Sequence, residues 1–132
     1  MNPKECRYTK DHEWICPEPG NKGRVGITAY AKDQLGDVVF LDLPAPGTPV
    51  EQFKKLGEVE SVKAVSEILS PVSGKVVEVN QQVVEHPEMV NQDPYGAGWL
   101  VEIEIGKPSE FDALMDSAAY DKLVAGLSEE KK

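Results

Sequence analysis

One lysine lies between two short runs of residues that are typical of β-strands. Lys63 follows the run Glu58–Val62 and precedes Val65–Leu69, with Glu60 before it and Glu67 after it. Two such runs joined by a few residues predict a β-hairpin with Lys63 at its tip. An amine on a flexible stem at such a tip is able to form an amide with a carboxylic acid, which would suit a covalently attached, swinging cofactor. Most lysines are only solvated, and the turn lacks the Asn-Gly or Asp-Gly of a tight hairpin.

Few other groups in the sequence are arranged for catalysis. There is no Gly-x-Ser-x-Gly nucleophile motif, no phosphate-binding Gly-x-x-x-x-Gly-Lys loop and no His-Glu-x-x-His zinc motif. His12 and His86 do not combine with Cys6 and Cys16 at the spacing of a standard metal site, so no metal is expected. The sequence therefore does not predict a self-sufficient active site.

Short runs of strand-forming residues, each interrupted by Pro or Gly, must position this lysine. Strands this short and this closely spaced predict a mainly β fold of the sandwich type. Trp14 and Trp99 lie on these runs and are expected to be core aromatics. The predicted strands are Tyr8–Ile15, Arg24–Ile27, Val38–Leu43, Glu58–Val62, Val65–Leu69, Lys75–Asn80 and Trp99–Ile105.

Two helices are predicted between and after these strands. Thr28 is placed to cap a short helix over residues 29–35, which Gly36 ends. Ser109 and the acidic residues that follow it resemble a capping box at the start of a C-terminal helix. The polar tail from about residue 127 is expected to fray. The residues at helical spacing that are expected to face the core are Phe111, Leu114, Met115, Ala118 and Ala119.

Composition sets limits on partners and location. The length of 132 residues is typical of one domain, so residues 1–132 are expected to form a single domain. The net charge of −9 disfavours nucleic acid, and no apolar run is long enough to span a membrane. A bacterial cytoplasmic location is expected, or the mitochondrial matrix after removal of a transit peptide. Free thiols are then the default for Cys6 and Cys16, although their proximity also permits one disulfide.

Several segments resemble, in the same order along the chain, the glycine cleavage H-protein family. Glu60-Ser61-Val62-Lys63-Ala64 resembles the lipoylation motif of that family. The resemblance implies a hammerhead, barrel-sandwich hybrid fold shared with biotinyl and lipoyl domains, with lipoate attached to Lys63. The other matching segments, which together extend from about Tyr8 to Tyr120, include Asp11–Ile15, Gly26–Thr28, Leu35–Phe40, Leu43–Gly47, Ser70–Gly74, Val79–Asn80 and Pro94–Leu100.

The resemblance also implies a carrier function without an enzyme activity of its own. The carrier would receive an aminomethyl group from a pyridoxal-phosphate glycine decarboxylase and pass the one-carbon unit to a tetrahydrofolate-dependent aminomethyltransferase. Dihydrolipoyl dehydrogenase would reoxidise it, a lipoyl ligase or transferase would attach the cofactor, and a monomer is expected. By position, Glu13 is the candidate to pair with the cationic amine of the cargo, and Glu67 is expected near the arm. Gln34 stands where many relatives carry a His.

Other functions stay open at this point. An H-like lipoate-binding carrier of a heterodisulfide-reductase-like sulfur oxidation pathway resembles this family around the modified lysine. An unmodified interaction module, or an enzyme with an unrecognised site, belongs to a different class and predicts an unmodified Lys63. A biotin carrier is disfavoured because its attachment lysine normally lies between methionines, whereas Val62 and Ala64 flank Lys63.

Overall fold

The computed structural model describes residues 2–130, with side chains for residues 2–127, and within this range it contains two antiparallel β-sheets and five helices. The strands are β1 (Arg7–Tyr8), β2 (Glu13–Glu18), β3 (Lys22–Ile27), β4 (Val38–Asp42), β5 (Pro49–Val50), β6 (Lys55–Ser61), β7 (Val65–Leu69), β8 (Gly74–Val79) and β9 (Val101–Ile105). The helices are α1 (Ala29–Leu35), α2 (Gln81–Glu85), α3 (Glu88–Gln92), α4 (Pro108–Asp112) and α5 (Ser117–Glu130).

The larger sheet has the strand order β1-β2-β3-β9-β8-β5, and the smaller sheet has the order β4-β6-β7. Buried side chains from both sheets form one core: Val59 and Ile68 of the smaller sheet lie in the same cluster as Val25, Val76 and Ile103 of the larger sheet. Burying an aliphatic side chain of this size stabilises the folded state by about 1.5–3 kcal/mol. This shared core holds the smaller sheet, and the hairpin that it contains, against the rest of the molecule.

The mainly β prediction is confirmed, and so is the first helix. The hydroxyl of Thr28 accepts a hydrogen bond from the backbone N–H of Ala31 at 3.2 Å, and Gly36 ends the helix with a φ of 79°. The predicted strand Val65–Leu69 matches β7, and the bounds of most other predicted strands shift by one to three residues. The sequence patterns do not predict β5, α2 or α3, which are short elements that depend on tertiary contacts.

The predicted single strand over Tyr8–Ile15 is wrong. The chain folds back on itself, so that Tyr8 of β1 pairs with Trp14 of β2. A turn between them is stabilised by the Thr9 hydroxyl, which accepts from the backbone N–H groups of Asp11 and Glu13, and by a left-handed His12 with a φ of 74°. The strand β2 also continues through Pro17 to Glu18, beyond the predicted strand end at Ile15.

The predicted C-terminal helix is divided into α4 and α5. Met115 leaves the helical conformation because its backbone pairs with Tyr8, with N···O distances of 2.9 and 3.1 Å. Pro108, rather than Ser109, stands at the start of α4, and Ala118 and Ala119 are exposed instead of facing the core. The helix α5 continues through Glu130, and the last two residues of the predicted frayed tail lie outside the described residues.

Aromatic side chains form a second cluster under α5. The rings of Tyr8 and Tyr120 stack with their centroids 4.9 Å apart, and Trp14 is buried beside them. The prediction of a core aromatic is confirmed for Trp14. Trp99 is only partly buried, and the guanidinium carbon of Arg24 lies 4.5 Å from its ring centroid.

A disulfide joins Cys6 and Cys16, whose Cα atoms are 4.2 Å apart. The default of two free thiols is therefore wrong for this structure. The antiparallel register of β1 and β2 places these residues directly opposite each other, one position beyond the Arg7–Ile15 pair. The bond ties the first residues of the chain to β2.

No helix among the described residues has the length and apolar character needed to cross a membrane.

We expect the double substitution Cys6→Ser and Cys16→Ser to lower the free energy of unfolding by about 2–3 kcal/mol, because the disulfide restricts the unfolded chain between two residues ten positions apart. Urea unfolding of the oxidised protein and of the variant measures the difference. The oxidised protein should fall to the level of the variant when a reductant is added. Equal stability with and without reductant would contradict a stabilising disulfide.

Candidate functional site

The hairpin formed by β6 and β7 presents Lys63. Its last strand pair joins Glu60 and Val65, and the turn is closed by a hydrogen bond of 2.8 Å from the N–H of Ser61 to the carbonyl of Ala64. The Ser61 hydroxyl also accepts from the N–H groups of Lys63 and Ala64, at 3.3 and 3.2 Å. A serine thus shapes a turn that has no glycine, and the predicted hairpin is confirmed.

The tip of this hairpin is open to solvent. Val62 is 68% exposed, and Lys63 and Ala64 are also exposed. No ion pair found among the described side chains involves Lys63. An unpaired, accessible amine is what an acylating enzyme requires of its protein substrate.

The connection between α1 and β4 lies beneath the tip. The N–H of Val62 donates to the carbonyl of Asp37 at 3.0 Å. The stem of Lys63 passes over Gly36, where an added Cβ would lie 3.7 Å from Cε of the lysine. The residue before Gly36 is Leu35, which forms part of the wall of a cleft. Cε of Lys63 therefore lies beside the residue that follows Leu35, at one end of that cleft.

The cleft has a volume of about 160 Å³ and lies between α1, the turn before β2 and the strand β7. Its apolar walls would accept a hydrocarbon chain, and polar groups from the turn lie beside them. The apolar lining residues are Ile27, Ala31, Leu35, Val59 and Ile68. The polar lining residues are Asp11, His12, Glu13, Gln34, Ser66 and Glu67.

Glu13 is a buried carboxyl group in this cleft, with only 2% of its surface exposed. One oxygen accepts from the hydroxyl of Thr9 at 2.5 Å, and the other accepts from the backbone N–H of Leu69 at 3.2 Å. Burial raises the pKa of Glu13 to about 7, although both hydrogen bonds favour the ionised form and act in the opposite direction. The group therefore changes its charge near neutral pH.

The other residues singled out by sequence fall into two places. Glu60, Ser61, Val62 and Ala64 belong to the hairpin around Lys63, while Glu67 lines the cleft together with Glu13. Glu60 is exposed on the outer face of the hairpin, away from the cleft-lining residues.

His12, for which the sequence analysis predicts no functional role, also lines the cleft. Its Nδ1 lies 2.8 Å from the hydroxyl of Tyr120, which is 2.7 Å from the hydroxyl of Thr28. Burial lowers the pKa of His12, which favours the neutral ring. This chain of contacts connects the cleft to the cap of α1. The one available signal was the position of His12 directly before Glu13.

Comparison with known proteins identifies the family of this chain. The profile described as Glycine cleavage H-protein matches residues 6–126. Proteins named Glycine cleavage system H protein are 55% identical over 90% of this chain and 92% of the relative in Symbiobacterium thermophilum, and 48% identical over 92% and 93% in Carboxydothermus hydrogenoformans. This chain belongs to the glycine cleavage H-protein family. A crystal structure of a glycine cleavage system H protein from Mycobacterium marinum superposes with a TM-score of 0.86 at 40% identity, covering 94% of this chain and 99% of that one.

Membership of the H-protein family confirms the lipoyl-domain-like fold expected from the sequence, with two sheets in the described range. H proteins are lipoate-carrying components of a multienzyme system.

The raised pKa of Glu13 predicts a pH dependence of stability. The pKa in the folded state is about 7, above the ordinary value of 4.5, so the folded protein binds this proton more tightly than the unfolded chain. The free energy of unfolding therefore falls as pH rises through this window. Between about pH 4.5 and pH 7 we expect the protein to lose roughly 2–3 kcal/mol more than the variant Glu13→Gln, which cannot titrate there.

Urea unfolding at a series of pH values measures this difference. The variant Glu67→Gln is the matched control, because it removes an exposed carboxylate from the same cleft and should keep the slope of the unmodified sequence. Parallel pH profiles for the protein and for Glu13→Gln would contradict a pKa near 7.

Proposed function

We propose that this chain is the lipoyl-bearing carrier of a glycine cleavage system, with lipoate joined in an amide to Nζ of Lys63. The observation that carries the proposal is the position of Lys63, at the exposed tip of a rigid hairpin and beside a cleft that contains a buried carboxyl group. The relatives named above support the pathway, which we prefer to the sulfur-oxidation alternative. As one lipoyl-carrier domain, the chain would present the cofactor to enzymes that perform the chemistry.

Attachment requires a nucleophilic amine that another enzyme can reach. Formation of the amide joins Nζ of Lys63 to the carboxyl carbon of lipoate and removes the positive charge of the lysine. This loss of charge breaks none of the ion pairs found among the described residues, because none of them involves Lys63. Acylation of a lysine in a buried salt bridge would be costly, because it would leave the partner carboxylate buried without a counter-charge.

The lining of the cleft supports a role in holding the lipoyl arm. The arm is mainly hydrocarbon, and Leu35, Ala31 and Ile68 give the cleft an apolar wall near Cε of Lys63. When bound, that group would supply a cyclic disulfide, which can take up the aminomethyl cargo on one sulfur while the S–S bond breaks and the other sulfur becomes a thiol. The part of this chain is to exclude water from that cargo and to hold its amine.

Glu13 is the group that we propose holds the cargo amine, and Glu67 lines the same cleft. A cationic amine beside Glu13 favours its ionised form and lowers its pKa, so the carboxylate stabilises the proton on that amine. A protonated amine has no free electron pair with which to expel the sulfur. Glu13 would thereby protect the cargo from hydrolysis between two enzymes.

We expect Glu13→Gln to raise severalfold the rate at which the loaded carrier releases formaldehyde and ammonia in the absence of folate, because a neutral amide stabilises a cation less than a carboxylate does. A formaldehyde assay after loading with glycine and the decarboxylase measures the rate. The expected effect of Glu67→Gln is smaller, because Glu67 is exposed whereas Glu13 is buried. Equal release rates for the protein and Glu13→Gln would remove Glu13 from this role.

The proposed partners are glycine decarboxylase, the aminomethyltransferase, dihydrolipoyl dehydrogenase and a lipoyl ligase or transferase. The net charge of −9 would steer the carrier towards basic surfaces on these enzymes. A monomeric state and the cellular location remain predictions from the sequence.

The variant Lys63→Arg is expected to abolish lipoylation and glycine-dependent exchange of carbon dioxide, while the fold stays intact. Arginine keeps the positive charge but cannot be acylated by the same chemistry, and its side chain remains in solvent. Intact mass measures lipoylation, and circular dichroism with urea unfolding measures the fold.

Lys75→Arg is the matched control, because Lys75 is an exposed lysine on a strand of the other sheet. It should be lipoylated and active like the protein without substitutions. A Lys63→Arg protein that is still lipoylated, or that loses its fold, would contradict the assignment. A lipoylated protein that fails to support exchange with the glycine decarboxylase would favour the sulfur-oxidation carrier instead.

A further inference from the structure

Asn91 uses both ends of its side-chain amide to hold one short segment of backbone. Its Nδ2 donates to the carbonyl of Gly36 at 2.8 Å, and its Oδ1 accepts from the N–H of Val38 at 2.8 Å. The residue lies on α3, more than fifty positions along the chain from the segment that it contacts. Two charge-neutral hydrogen bonds of this length fix the connection between α1 and β4 from both sides.

The residue between these two contacts is Asp37, and its carbonyl accepts a hydrogen bond from the N–H of Val62 at the hairpin tip. In the antiparallel pairing of β4 with β6, Val38 is opposite Ser61, so the hydrogen bond of 3.0 Å from the N–H of Val62 to Asp37 continues this pairing by one position, to the hairpin tip. The stem of Lys63 rests above Gly36 in the same segment. Asn91 therefore reaches Lys63 through one backbone segment and one hydrogen bond.

The chemistry of this position requires an amide. The Gly36 carbonyl needs a donor and the Val38 N–H needs an acceptor, and asparagine supplies both within one planar group. Aspartate of nearly the same shape has an acceptor but no donor when ionised, so it would place a carboxylate oxygen against the Gly36 carbonyl. Asn91→Asp therefore removes one function of the side chain while changing its volume very little.

We propose that Asn91 is a positioning residue for the modification of Lys63. By fixing the segment from Gly36 to Val38, it fixes the Asp37 carbonyl that holds Val62, and so sets where the hairpin tip presents the lysine to the acylating enzyme. The acylation step itself rests on the proposed function, whereas the connection from Asn91 to Val62 does not.

The first experiment measures amide hydrogen exchange by NMR in the full chain without lipoate. In Asn91→Asp we expect the protection of the Val62 amide to fall roughly three- to tenfold, because its acceptor is no longer held in place. The Ser61 amide, which is bonded to Ala64 within the hairpin, should keep its protection. Gln92→Ala, an exposed neighbour on α3, should leave both amides unchanged. Unchanged protection of Val62 in Asn91→Asp would overturn the proposed connection.

The second experiment measures lipoylation of the same proteins by a lipoate ligase with lipoic acid and ATP. In Asn91→Asp we expect the displaced tip to raise KM for the carrier roughly three- to tenfold. The kcat should be less affected, because the acylation of Lys63 is the same reaction once the carrier is bound to the ligase. Gln92→Ala should match the unmodified sequence. Equal KM values in Asn91→Asp and the unmodified sequence, with a less protected Val62, would overturn the positioning role.

Gly36→Ala is a second variant for the case in which Asn91→Asp does not fold. It alters the same segment from the other side, since a Cβ at a φ of 79° is strained and would lie beside Lys63. It should likewise lower Val62 protection and raise KM. Absence of lipoylation on Lys63 in the protein without substitutions would overturn the proposed function. The hydrogen exchange of the Val62 amide would still show whether Asn91 controls the tip.

Discussion

The strand β7 lies at the edge of the smaller sheet, so one side of it has backbone groups that no neighbouring strand can pair. In this structure that edge faces the cleft instead of another strand. Glu13 pairs with one of its groups, the N–H of Leu69, and the helix α1 covers the space beside it. The site exists because the sheet ends here: a further strand would fill the cleft, and an uncovered edge would invite association with other chains.

The burial of Glu13 has a cost that its hydrogen bonds only partly offset. A buried carboxylate is stable when donors or a cation surround it, and otherwise takes up a proton. The two donors from Thr9 and Leu69 orient the group, while burial keeps its pKa near 7. A carboxyl group that is oriented but incompletely compensated is suited to receive a cation, since arrival of that cation supplies the missing charge. The empty carrier would be less stable than it could be, and the loaded carrier would benefit.

Features determined by local sequence were predictable. The helix α1 follows from its cap at Thr28 and its end at Gly36, and the hairpin follows from the two β-like runs around Lys63. The family resemblance directed attention to Glu13, which composition alone would have left as a solvated carboxylate.

Features determined by distant contacts were not predictable. The division of the C-terminal helix depends on Tyr8 pairing with Met115, and the control of the hairpin tip depends on Asn91 reaching Gly36 from another helix. Neither pair shares a local pattern. The disulfide depends on the antiparallel pairing of β1 with β2, which brings Cys6 and Cys16 together. The prediction of a single strand over Tyr8–Ile15 excludes this pairing.

Peptide mapping by mass spectrometry, on protein isolated from its native host, tests whether Lys63 carries lipoate. We expect a lipoyl adduct confined to Lys63, with every other lysine unmodified. An unmodified Lys63 in a cell that lipoylates other proteins, or an adduct on a different lysine, would contradict it.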